Sequence, residues 1–161
     1  MNTEEFKAKI LPHYRYMYRI AASVMKSDSE AADVVQDVML RVYERRTQLD
    51  NVADIRSYCA YMVRNACLNI MRSRKEYIST EEISDIDSSQ DIHRTLEWKD
   101  MSGIIVKAMN RLPENQLKVF KLSMYGGFSN AEIADMLGIT QGNVRILLSR
   151  ARNKIKELFS K

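Results

Sequence analysis

The chain has 161 residues, a formal net charge of +4 and 45% apolar residues, enough for one ordinary domain or two small ones. Its apolar runs are too short to cross a bilayer, so no membrane insertion is expected, and the start MNTEEFKAKI is polar and of mixed charge, unlike a secretory leader. Five glycines, two prolines and no alternating apolar pattern argue against a β-rich chain and predict an all-α fold.

Residues 3–11 predict a short helix that ends near Pro12, and residues 14–26 a second one carrying Tyr14, Tyr16 and Tyr18. Ser27 and Glu30 have the spacing of a capping box and open a third helix to about Arg46. Ala31, Val34, Val35, Val38 and Val42 fall on one side of it, and Asp33, Gln36, Asp37, Leu40 and Glu44 on the other. An acidic face with a leucine near its centre suits docking of a basic partner; it is equally what a solvated face looks like. Residues 47–54 read as a loop.

A fourth helix is expected from about Ile55 to Arg74. Ile55, Cys59, Met62, Val63, Ala66 and Ile70 form its buried stripe, while Tyr61, Arg64, Asn65, Leu68 and Arg72 face the other way with Tyr58 at the edge. Such a face suits single-stranded or distorted DNA. Guanidiniums hold phosphates, rings stack on bases and an amide reads a base edge. A basic amphipathic helix with tyrosines at the core boundary is the alternative.

Residues 76–92, EYISTEEISDIDSSQDI, carry six acidic side chains and no basic ones. This polar, Ser-rich stretch reads as a linker between two helical domains, residues 1–75 and 93–161. A helix from about His93 to Asn110 carries Trp98, Ile104, Ile105 and Ala108. Leu112-Pro113-Glu114 restarts the chain into a helix that ends near Met124, and Tyr125-Gly126-Gly127-Phe128 is a turn.

The last stretch is the most informative. Ser129 and Glu132 form a capping box, Ile133, Ala134 and Leu137 an apolar stripe, and Gly138 a left-handed stop. Ile139 plugs the corner and Thr140 caps the next helix. There Val144, Leu147, Leu148, Ala151, Ile155 and Leu158 define a buried face, opposite Gly142, Arg145, Ile146, Ser149, Arg150 and Asn153. This is the spacing of a helix-turn-helix, whose second helix fits the major groove of DNA. Residues 145–161 hold six Lys/Arg against one acidic residue. An ordinary basic helix on a bundle is the competing reading.

Charge alternates along the chain. Residues 28–37 contain four acidic and no basic residues, and residues 55–75 five basic and no acidic ones. The basic zones would draw phosphates, while the acidic ones avoid them and are free for another partner. Cys59 and Cys67 are eight residues apart on one expected helix, about 12 Å by helix rise and too far to bridge. They read as reduced core residues of a cytoplasmic protein. His13 and His93 have no metal-ligand spacing around them, and no nucleophile, phosphate loop or carboxylate cluster stands out. No cofactor, metal or catalytic residue is therefore expected. A stand-alone regulator with an N-terminal sensing or dimerisation domain, or a small nucleic-acid enzyme, stays open at this level.

Three stretches in order, DVVQDVMLRVYERR, IRSYCAYMVRNACLNIMRSR and LPENQLKVFKLSMYGGFSNAEIADMLGITQGNVRILLSRARNKI, resemble bacterial RNA polymerase sigma factors. The resemblance is to the small extracytoplasmic-function (ECF) group of the sigma-70 family. It implies that the helix of residues 30–46 docks on the clamp helices of core polymerase through Asp33, Gln36, Asp37 and Leu40. It implies that Tyr58, Tyr61, Arg64, Asn65 and Arg72 open and read the −10 promoter element, with Asn65 at the family's promoter-reading asparagine. Gln141, Asn143, Arg145, Ile146, Ser149 and Arg150 would read the −35 element, and the implied partners are promoter DNA and core polymerase, through its clamp helices and flap. An anti-sigma protein is the implied regulator. Tyr58 stands where many members carry Trp, and Ile146 and Leu147 where polar or basic residues are commoner. Ile146 projects to the outer face, positioned for a thymine methyl.

Overall fold

The computed structural model describes residues 1–74 and 103–160. Every regular element among them is helical. The first part holds α1 (Thr3–Lys9), a 3₁₀ turn (Leu11–His13), α2 (Tyr14–Ala22), α3 (Asp28–Glu44), a second 3₁₀ segment (Arg46–Asn51) and α4 (Ile55–Arg74). The second part holds α5 (Gly103–Met109), α6 (Glu114–Met124), α7 (Asn130–Leu137) and α8 (Gln141–Phe159). The chain divides into two compact units, Met1–Ile70 and Met71–Lys161, and the division falls within α4. The acidic stretch 76–92, His93, Trp98 and the expected start of the following helix lie outside the described residues.

Helix ends follow local chemistry. The Glu5 N–H donates to Asn2 Oδ1 at 2.8 Å, capping α1. Pro12 sits in the 3₁₀ turn, where its missing N–H costs little. The Ser27 cap forms only half of the expected box. The Glu30 N–H donates to Ser27 Oγ at 3.2 Å, but the Glu30 carboxylate accepts from the Lys26 N–H at 3.2 Å, one residue outside the cap.

In the first unit α2 packs on α3. Met17, Ile20 and Ala21 from α2 and Ala31, Val34, Val35, Val38 and Val42 from α3 are buried. They recur at three and four residues, so each helix offers one continuous apolar side. Burying one such valine contributes about 1.5–3 kcal/mol before entropy is counted. The expected loop after α3 is instead the 3₁₀ segment, because Leu49 is drawn inward to 2% exposure. Tyr43 fixes this corner. Its ring meets Phe6 edge-on at 5.1 Å, the Arg46 guanidinium lies 4.1 Å from its centroid, and its hydroxyl is 3.0 Å from Thr3 Oγ1.

In the second unit Met109, Leu112, Phe120 and Ala151 form a buried cluster, with Ile105, Leu117, Tyr125 and Ile155 packed against it. The Tyr125 hydroxyl donates to Met109 Sδ at 3.1 Å, and its ring meets Phe120 edge-on at 6.3 Å. α8 packs on α5, α6 and α7 together. The three shorter helices thus form a platform that holds one long helix.

Candidate nucleic-acid and docking surfaces

The α7–α8 pair is built from caps. The Glu132 N–H donates to Ser129 Oγ at 3.1 Å, and the Ser129 N–H donates to Glu132 Oε1 at 2.9 Å, so both halves of this box form. Gly138 ends α7 at φ 68°, ψ 31°. This left-handed geometry costs a residue with a side chain about 1–2 kcal/mol. The Ile139 N–H donates back to the Ala134 carbonyl at 3.1 Å, which closes a Schellman-type stop. Thr140 then caps α8, its Oγ1 accepting from the Asn143 N–H at 3.1 Å. The turn between the helices is Gly138-Ile139-Thr140, and each residue has a stated job in it.

α8 separates its two sides. Val144, Leu148 and Ala151 are buried, and Leu147, Ile155 and Leu158 are half-buried. Gln141, Asn143, Arg145, Ile146, Ser149, Arg150 and Asn153 are exposed. Ile146 is 49% exposed and stands between arginines. All six residues expected at the −35 element therefore share the open side of one helix. The N-terminal end of that side carries amides, and its middle carries guanidiniums and one apolar side chain.

α4 begins at Asp54. The Ser57 hydroxyl donates to Asp54 Oδ2 at 2.7 Å and the Ser57 N–H donates to Oδ1 at 3.1 Å. These bonds, the hydroxyl's first, hold the Asp54 carboxyl below its usual range. The Arg56 guanidinium lies 4.2 Å from the Tyr16 ring centroid and ties this helix start to α2. Sequence periodicity carries no sign of that contact, because Arg56 and Tyr16 sit far apart in the chain. Tyr61 is 58% exposed, Arg72 is exposed, and Tyr58, Arg64 and Asn65 are half-buried.

Two expectations for α4 are corrected. Leu68 was expected on the open side, yet it is only 5% exposed. Ile55, Met62, Ala66 and Ile70 are half-buried, whereas Ala60, Cys67 and Met71 are buried. The covered side is thus rotated from the expected stripe. The helix is apolar over a wide arc, so spacing alone cannot fix the centre of the covered part. Cys59 and Cys67 are free, buried thiols. Burial pushes Cys59 up to about 11 and Cys67 up to about 12, since a thiolate has little solvation there.

α3 presents Asp33, Gln36, Asp37 and Leu40 at i, i+3, i+4 and i+7, all on the side away from the buried valines. Leu40, 62% exposed, is the barest large apolar side chain among the described residues. The valines behind it are buried, so this face has no part in the core. Among the described residues no group of three or more His, Cys, Asp or Glu could hold a metal ion, and no helix is long and apolar enough to cross a membrane.

Comparison with known proteins agrees with this arrangement. A family model of sigma-70 region 2 matches residues 10–77, and one of sigma-70, region 4 matches residues 102–155. The chain belongs to the sigma-70 family. The ECF RNA polymerase sigma factor SigM of Mycobacterium tuberculosis is 29% identical over 147 residues, covering 91% of this chain and 73% of its own length. SigM of Bacillus subtilis is 20% identical over 146 residues, covering 90% and 89%. A solved sigma factor, RpoE of Bartonella quintana in complex with the anti-sigma factor NepR, shares the fold at a TM-score of 0.50 and 23% identity, covering 98% of each chain. Within the family, the chain is of the extracytoplasmic-function group.

Proposed function

We propose that this chain binds core RNA polymerase and directs it to promoters through both of its helical units. The observation that carries this reading is the order of three open faces on separate helices. The acidic, leucine-centred face of α3 is exposed, α8 turns a basic face to solvent, and α4 leaves Tyr61 and Arg72 exposed beside half-buried Tyr58, Arg64 and Asn65. Asp33, Gln36, Asp37 and Leu40 meet the clamp helices of core polymerase. Tyr58, Tyr61, Arg64, Asn65 and Arg72 act at the −10 element, where rings take up unstacked bases and the Asn65 amide reads one. Gln141, Asn143, Arg145, Ile146, Ser149 and Arg150 lie in the major groove of the −35 element. The second unit also contacts the polymerase flap.

Energetics assign the work. Unstacking and flipping a base costs a few kcal/mol, and stacking on a side chain returns about 1–3 kcal/mol per base. A domain of this size has little surplus, so strand opening draws on contacts made by the core enzyme. The chain supplies recognition and no catalytic group, acts in the cytoplasm, and is held in check by an anti-sigma protein that covers one of these faces. Run-off transcription with purified core polymerase tests the reading. A transcript that appears from a cognate promoter only when this chain is added supports it. Equal transcription with and without the chain refutes it.

A further inference from the structure

Gly142 is the second residue of α8, and nothing among the described residues requires a glycine there. Among the described residues positive φ angles occur at Gly127 and Gly138, not at Gly142. A Cβ built on Gly142 would lie 3.7 Å from Thr140 Oγ1 and 3.9 Å from Arg145 Nη2, both ordinary contact distances. Any L-residue therefore fits its backbone, and a methyl group fits its space. Glycine is nonetheless among the poorest helix formers, since it loses the most chain entropy on ordering. A residue that breaks local propensity without an internal reason points to a demand from outside.

Its surroundings say what the demand is. Gln141, Asn143, Arg145 and Ile146 are exposed beside it. The Thr140 hydroxyl accepts from the Asn143 N–H and borders the space over Gly142 at ordinary contact distance, leaving room for a methyl group. The Arg145 guanidinium reaches back along the helix toward that same space. In a helix that enters the major groove, the N-terminal turn comes nearest to the DNA. We infer that Gly142 is a positioning residue, kept bare so that the sugar–phosphate strand bordering the groove can pack directly on the α8 backbone, which sets the depth at which Arg145 and Ile146 meet the bases. This rests on the reading of α8 as the helix that enters the −35 element.

The test compares holoenzymes made with the natural chain and with Gly142→Ala. Binding is measured on a promoter with an intact −35 element and on one with that element scrambled, beside the melting temperature of each free chain. Alanine is expected to leave the melting temperature equal or raise it by a few degrees, because it is the better helix former. Affinity for the intact promoter is expected to fall about 10-fold or more, as for loss of a well-placed contact. Affinity for the scrambled promoter should change by less than about twofold, so discrimination collapses. Unchanged affinity for the intact promoter overturns the inference. So does a fall in melting temperature that accompanies lost binding, since Gly142 would then be structural. If the natural holoenzyme itself fails to distinguish the two promoters, the reading of α8 falls and this inference falls with it.

Discussion

Leu40→Ala separates folding from docking. Leu40 is 62% exposed in the free chain, so most of its side chain still has surface to lose to a partner. Complete burial of a leucine is worth about 1.5–3 kcal/mol. Scaling by the exposed share leaves about 1–2 kcal/mol for docking, or roughly a 5- to 30-fold weaker Kd for core polymerase after truncation. The fold should barely notice. Alanine keeps the helix propensity of α3, and a substitution at an exposed site usually stays within about 0.5 kcal/mol. The assay is competition for core enzyme against a labelled copy of the natural chain, with thermal melting as the control. Affinity within about twofold of the natural chain would refute the argument. So would a clear fall in melting temperature, because the side chain would then be serving the core.

Further outcomes follow from the same structure. Arg145→Ala should cost about 1–3 kcal/mol of promoter binding and relax the preference at a single −35 position, checked on a panel of single-base promoter variants; an equal loss on every variant would make Arg145 a phosphate contact. Gly138→Ala should destabilise the second unit by about 1–2 kcal/mol, because Gly138 sits at φ 68°, and melting of that unit reads it directly. On the same measurement Gly142→Ala should be neutral or stabilising. Cys59 and Cys67 should resist a thiol reagent at pH 8 until the chain unfolds, since their thiols ionise only near 11 and 12. The unfolded chain loses these protons from about pH 9 while the native chain keeps them, so the unfolded state binds fewer protons there. Their contribution to stability is therefore fully present below about pH 9 and is lost as pH rises toward 11 and 12, which alkaline melting curves will show.

Local chemistry is the part a sequence makes legible. Ser129, Glu132, Gly138 and Thr140 act on backbone groups within a few residues, so the order of these residue types along the chain is enough to place the helix-turn-helix. The faces of α3 and α8 are legible for the same reason, since helical spacing decides which side chains share a side. Ser27 and Glu30 show the margin of that approach: the spacing is right, but the carboxylate reaches the Lys26 N–H instead. What stays hidden depends on partners distant in the chain. Tyr43 gathers Thr3, Phe6 and Arg46, and Leu49 turns a loop into a 3₁₀ segment by being pulled inward. The Arg56–Tyr16 contact and the burial of Leu68 belong to the same kind. Periodicity records how apolar a helix side is, not what comes to cover it. Gly142 is hidden differently. Its position on the open side of α8 is evident from spacing, but that a side chain would fit there is a fact of three dimensions.

The division of labour on α8 bears on how promoter choice can change over generations. Val144, Leu148 and Ala151 hold the helix to its platform, and Arg145, Ile146, Ser149 and Arg150 take no part in that grip. Exchanges in the second set leave the first untouched. On the proposed reading of α8 as the −35 helix, new target genes can be acquired by drift in a handful of codons, without first finding a sturdier scaffold to tolerate them.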